Sequence, residues 1–227
     1  MAKKKSIGIG IILIILLIFL IYKTKKSNNM YTCRNICIIE NKSYPELDFL
    51  FRNKNIIINE LENIKKTNKW TKWDKYDEIG RNITPIFTQM SFQDILNRIK
   101  NNEDFLNTDK KSWRIFGLIL DGHFLESNIG FMPQTMELLT NIPNIVNAGI
   151  SCLEPHVKTS IHKDFNDSFY RCHIPLYIPE GDCAIKIGND IVRWNINRYF
   201  IFDDTCYHQA WNNTDENRFV FLIDIKR

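Results

Sequence analysis

Residues Ser160–Pro179 read SIHKDFNDSFYRCHIPLYIP. The fourteen residues from Ser160 to His173 hold His162, Asp164, Arg171 and His173, inside a segment that otherwise reads as β-strand. Side chains on a strand alternate faces with a period of two. His162 and Asp164 therefore share a face if the chain is extended there, as do Arg171 and His173. An exposed polar face would explain such a pattern. So would a metal site, and the surrounding sequence has to decide between them.

Working outward, the flanking runs are short and strand-like. They are NAGISCLEP, SFYRCHIPLYI, DCAIKI, DIVRW, RYFIFDD, YHQAW and RFVFLIDI, recurring about every ten residues between the turn signals PEGD, IGND, NIN and NNTDEN. WRIFGLIL, from Trp113, reads as a buried strand and PQTMELLTNI as a short helix. Many short strands at this spacing indicate a mostly β sandwich or barrel. Upstream, Ser43 and Pro45 suit a helix start, and Leu47, Phe49, Leu50, Ile56 and Ile57 form an apolar stripe, although Ile56–Ile58 also permits a strand. NKWTKWDKYDEIG, from Asn68, reads as packing against the main domain. A second helix is expected from Ser91, with Phe92, Ile95, Leu96 and Ile99 on one face.

Two histidines and a carboxylate on one side of a metal leave open positions, the arrangement typical of non-haem Fe(II) oxygenases. His162 and Asp164 offer two such ligands, and His208 in FDDTCYHQAW is the best third. Asp203 and Asp204 compete for the acidic position, and one of them is expected to orient the turn instead. Arg218 lies ten residues after His208, one expected short hairpin away. Its planar fork suits bidentate recognition of a carboxylate, so it is a candidate for the remote end of a dicarboxylic co-substrate, with the Ser151 hydroxyl beside it. A catalytic zinc also accepts His and Asp, but it leaves Arg218 and Ser151 unexplained.

The chain has 227 residues and a formal charge of +4. Residues 1–26 hold six lysines and no acids, leaving −2 (+4 less 6) on the remainder, which excludes a nucleic-acid-binding surface. Residues 7–22 are uncharged and almost wholly apolar, with lysines on both sides, and no small-x-small cleavage site follows. Sixteen residues with snorkelling lysines and an interfacial Tyr22 read as an uncleaved single-pass membrane anchor, whose orientation the balanced lysines do not reveal. Three regions follow: the anchor with its basic flanks at 1–26, a linker and helical region at 27–110, and the main domain at 111–227. The six cysteines are too scattered for a disulfide scaffold. Cys152, Cys172, Cys183 and Cys206 read as buried thiols, and Cys33 and Cys37 are near enough to pair.

From about Trp113 to Arg227 the chain resembles the aspartyl/asparaginyl β-hydroxylase family of Fe(II)- and 2-oxoglutarate-dependent oxygenases. SIHKDFNDSFYRCHIPLYIP is similar to that family's first-ligand segment and RYFIFDDTCYHQAWNNTDENRFVFLIDI to its second. The spacings agree: eleven residues from Ser151 to His162, eleven from His162 to His173, ten from His208 to Arg218. The resemblance implies a double-stranded β-helix of the jelly-roll or cupin kind, flanked by the N-terminal helices. It implies Fe(II) on His162 and His208, and 2-oxoglutarate held by Arg218 and Ser151, with Arg171 and His173 near its metal-binding end or the substrate. With Asp164 present, the chain looks like the lipid A hydroxylase-like branch that has a full triad. The expected activity is a membrane-anchored dioxygenase that hydroxylates an unactivated carbon of a protein Asp/Asn side chain or a lipid acyl chain. A membrane-anchored β-barrel that only binds is the alternative.

Overall fold

The computed structural model describes residues 37–40, 44–72, 112–164 and 167–227. The expected span at 7–22, Cys33, Ser43 and the helix from Ser91 lie outside them. No helix among the described residues is long and apolar enough to cross a membrane.

Two antiparallel sheets form the body. The larger runs β1 (Thr71–Lys72), β2 (Trp113–Leu120), β4 (Ile145–Leu153), β11 (Arg218–Lys226), β6 (Phe169–Tyr177) and β9 (Phe200–Phe202), with β3 (His123–Phe124) on β2. The smaller runs β5 (Val157–Lys158), β10 (His208–Asn212), β7 (Cys183–Ile187) and β8 (Asp190–Val192). The chain is mostly β, as the strand spacing indicated, with the jelly-roll layout that the resemblance implied. One expectation changes: β10 and β11 are not a hairpin. They lie in different sheets, so His208 and Arg218 meet the same space from opposite walls.

The larger sheet is buried on both faces, which is why its central strands read as near-continuous apolar runs. On β11, Phe219, Phe221, Ile223 and Ile225 pack into a core shared with the helices, and Val220 packs into a second core between the sheets. The period of two then decides where the polar residues go. Ser151 pairs with Val220, and Arg171 with Asp224, so all four belong to the side facing the smaller sheet.

Helices α1 (Pro45–Arg52), α2 (Lys54–Ile64), α3 (Glu126–Ile129) and α4 (Pro133–Thr140) supply the outer layer. The expected single stripe is broken at Asn53. Leu47, Leu50 and Ile57 are buried, whereas Phe49 points outward, 37% exposed, because within its own helix it lies off the face that Leu47 and Leu50 share. Residues 56–58 are helical. Trp70 packs on Phe116 and Phe219, in line with the packing role read for its segment.

Glu60 is buried, and its two carboxylate oxygens accept the N–H groups of Gln134 and Thr135 at 2.8 Å each. An acid on α2 thus satisfies the amides that open α4, where the helix dipole favours negative charge. Glu60→Ala is expected to cost about 1–3 kcal/mol in urea unfolding while leaving the site between the sheets unaltered.

Candidate active site

His162 and His208 face each other as a hydrogen-bonded antiparallel pair. The His162 N–H donates to the His208 carbonyl at 3.1 Å and the His208 N–H to the His162 carbonyl at 2.8 Å. Opposed residues of such a pair project to the same side, and the ring centroids lie 4.2 Å apart. Each ring is turned by the carbonyl two residues before it. His162 Nδ1 is 2.8 Å from the Ser160 oxygen and His208 Nδ1 is 2.9 Å from the Cys206 oxygen. A carbonyl only accepts, so both Nδ1 atoms carry hydrogen and each neutral ring keeps its lone pair on Nε2. A hydrogen bond from Nδ1 to a fixed carbonyl holds a histidine ring in the orientation that metal binding through Nε2 requires.

The carboxylates are distributed differently from the sequence expectation. The Asp164 N–H donates to the Asp204 carbonyl at 2.8 Å, extending the pairing that starts at His162. Its side chain, one-third exposed, bonds to the Asp204 carboxyl and lies 3.8 Å from Arg171 Nη2. Asp204 is fully buried. Its Oδ1 is 3.2 Å from His208 Nε2 and its Oδ2 is 2.7 Å from Arg171 Nη1. Burial pushes the Asp204 carboxyl well above the ordinary range; Asp164 and Asp224 add to this and Arg171 opposes it. Asp203 is the turn-orienting acid, accepting from Thr205 N–H and Oγ1 and pairing with Arg227 at 2.6 Å.

The two site arginines sit in opposite circumstances. Arg171 donates through Nε and Nη2 to Asp224 at 2.8 Å each, and through Nη1 to Asp204. Burial disfavours its charge, but Asp204 and Asp224 more than offset this and hold it above the usual arginine range. Arg218 is equally buried, yet no carboxylate of the described residues pairs with it. Nη1 reaches the Ser151 carbonyl and hydroxyl at 3.3 and 3.2 Å, and the guanidinium lies 4.7 Å from the Trp194 ring centroid. Burial lowers its pKa to about 10.

Ser151 is itself fixed by Trp113 Nε1, which donates to its hydroxyl at 2.9 Å. Trp194 Nε1 donates to His173 Nδ1 at 3.3 Å, so the His173 hydrogen is on Nε2, a buried atom that donates to no group of the described residues. Burial, then Arg218 and Arg171, lower the His173 pKa well below the ordinary histidine value, keeping it neutral.

Ser151, His162, Arg171, His173, His208 and Arg218 line one cavity with about 20 Å³ of free space; Asp164 does not line it. Sequence reading missed Trp113, which lines this wall, and Trp194 and Asp224, which hold the lining residues His173 and Arg171. Asp224 left a signal, an acid inside the apolar run FVFLIDI; the two tryptophans left none. Among the described residues, no three His, Cys, Asp or Glu side chains already converge as a metal cluster. The donor chemistry nevertheless fits a divalent cation. Two imidazole lone pairs are oriented by the backbone, one of them 3.2 Å from Asp204, and Asp204 shares the Arg171 guanidinium with Asp164 and Asp224. The sequence left open whether Cys33 and Cys37 pair; Cys37 is bonded to Cys206, with Cα atoms 6.0 Å apart. Cys206 is therefore not a thiol, whereas Cys152, Cys172 and Cys183 are buried thiols as expected.

The fold and site define a two-sheet β domain with paired histidines at one end of a cavity and an unneutralised arginine at the other. The aspartyl/asparaginyl β-hydroxylase family profile matches residues 52–227, and the chain belongs to that family. Its relatives are hydroxylases. An ornithine lipid ester-linked acyl 2-hydroxylase of Rhizobium tropici is 33% identical over 136 residues, 59% of this chain and 47% of that one. The human aspartyl/asparaginyl β-hydroxylase is 27% identical over 132 residues, 54% of this chain and 17% of that one. The chain thus spans less than half the length of these relatives. Among solved structures it is similar to the cupin domain of Schizosaccharomyces pombe Cnp3, at 10% identity and a TM-score of 0.35, covering 52% of this chain and 67% of that one. A superposition that loose says nothing of function.

Removing one member of a buried ion pair leaves the other charge uncompensated. Asp224→Ala is expected to destabilise the domain by about 3–5 kcal/mol in chemical denaturation, well beyond the effect of an exposed substitution such as Lys158→Ala.

Proposed function

We propose that the chain is an Fe(II)- and 2-oxoglutarate-dependent hydroxylase. The observation that carries this reading is Arg218, a fully buried cation without a carboxylate partner among the described residues, across the cavity from two histidines turned for metal binding. A buried charge in that state is costly until an anion meets it. A dicarboxylate that reaches both ends satisfies both.

His162 and His208 would hold the iron through Nε2, with Asp164 or the adjacent Asp204 as the acidic neighbour. Bound iron supplies oxygen activation coupled to oxidative decarboxylation of the 2-oxo acid, leaving succinate and a hydroxylated carbon. Arg218 exchanges its long contacts with Ser151 for the distal carboxylate, and the Ser151 hydroxyl, held by Trp113, adds a donor. His173 stays neutral and offers Nε2–H to an oxygen near the metal-binding end. Arg171 holds Asp204 and Asp164 in place and keeps the anionic end from repelling the co-substrate. Phe202 and Ile185 wall the cavity and limit water. Of the two substrate classes named for the relatives, the lipid acyl chain is favoured by the higher identity, and the apolar run at 7–22 would keep the domain at a bilayer.

The test uses the full-length chain with Fe(II) and 2-oxoglutarate, without oxygen at first. A weak visible charge-transfer band is expected, followed on oxygenation by succinate, both abolished in His162→Ala and His208→Ala. Arg218→Ala should raise the 2-oxoglutarate concentration needed at least tenfold. Folded, iron-loaded protein that gives neither band nor succinate overturns the assignment. Acyl lipids and Asp/Asn peptides are then compared by the mass gain of one oxygen.

A further inference from the structure

The Cys37–Cys206 bond joins two parts of the chain 169 residues apart, and it does so inside the loop that carries the site. Cys206 lies between Asp204 and His208, and its carbonyl is the group that orients His208 Nδ1 at 2.9 Å. The segment around Cys37 is laid along β9 and the start of that loop through one isolated β-bridge. The Asp203 N–H donates to the Cys37 carbonyl at 2.8 Å, the Ile39 N–H to the Ile201 carbonyl at 2.9 Å, and Ile38 bridges Phe202. On the other side, Gly188 leaves room for the bond, since a Cβ there would lie 3.2 Å from Cys37 Sγ. Its N–H ties the same loop through the Tyr207 carbonyl at 2.8 Å.

We propose that this disulfide is a positioning element for His208, and that reducing it weakens metal binding at the site. The proposal rests on the metal-site reading above. The reaction is thiol–disulfide exchange with a dithiol reductant. Its thiolate attacks Cys37 Sγ, the half-buried sulfur, and Cys206 Sγ leaves with the bonding pair and takes a proton. The second thiol then displaces Cys37 Sγ, which takes the other proton, and the reductant ends as a disulfide. Cys206 is 1% exposed, so approach is from the Cys37 side. The bond persists only where the surroundings are not reducing, so the ordered form of the site belongs to such a compartment.

The test compares the full-length oxidised chain with Cys37→Ser, which leaves Cys206 and its carbonyl in the sequence. Non-reducing peptide mapping should recover Cys37 cross-linked to Cys206 in the parent chain. In the variant, amide exchange at residues 203–208 should rise at least tenfold while β4 and β11 stay protected. Co(II) titration should show affinity lower by about 10–100-fold, the range for lost outer-shell support of a ligand. If Cys37→Ser does not fold, the folded parent is reduced, freed of reductant without oxygen, and measured in the same way. Unchanged local exchange, or no cross-linked peptide, overturns the proposal. If exchange rises but the parent itself binds no Co(II), the disulfide still positions the loop and the metal-site reading is what fails.

Discussion

A guanidinium cannot leave water without something to meet its charge, and the site is organised around two answers to that constraint. Arg171 is met three times over, by Asp224 in bidentate fashion, by Asp204, and by Asp164 at longer range. Arg218 is met by no acid among the described residues, only by a serine and the face of Trp194. Acids therefore gather around one arginine of the site, and the other arginine has none. Under the proposed function a divalent cation would bind beside the first and a carboxylate would meet the second.

The fold makes that polarity available. Closing the larger sheet against the smaller one sets β4, β6 and β11 opposite β10, and the strand period turns alternate residues into the gap. The histidine pair is then placed by the backbone itself, because a hydrogen-bonded register between residues 162 and 208 leaves their rings side by side. Carbonyls at Ser160 and Cys206 finish the work by choosing the tautomer. The remaining apolar residues of the gap keep the charges in a medium where they interact strongly.

The proposed function accounts for the histidines, Arg218 and Ser151 together. The local arrangement of the acids is a property of this chain's packing: Asp204 sits against His208, while Asp164, two residues after His162, turns toward Asp204 and Arg171. The disulfide adds a link between the segment that follows the apolar run and the loop that presents His208. The bridged segment at residues 37–39 thus belongs to the site's support as much as to the fold.

How far the sequence reaches can be read from particular elements. Strand-like runs with turn residues every ten positions determined a mostly β fold, because burial on alternate faces leaves a visible period. The helix at PQTMELLT and the packing of Trp70 were legible for the same reason. Motif spacing singled out His162, His208, Arg218, Ser151, Arg171 and His173, which fall on one cavity. What stayed hidden depends on contacts between residues far apart in the chain. The partner of Cys37 is 169 residues away, the assignment of β10 and β11 to different sheets removes an expected hairpin, and Glu60 caps a helix more than seventy residues on. The division of labour between Arg171 and Arg218 was hidden too. Both are arginines near a strand start in sequence, and only the packed structure decides that one is surrounded by acids and the other by none. The sequence alone determined which residues can do chemistry, since side-chain type and period are local. Tertiary structure decided which charges are neutralised, since that is a matter of distance in space.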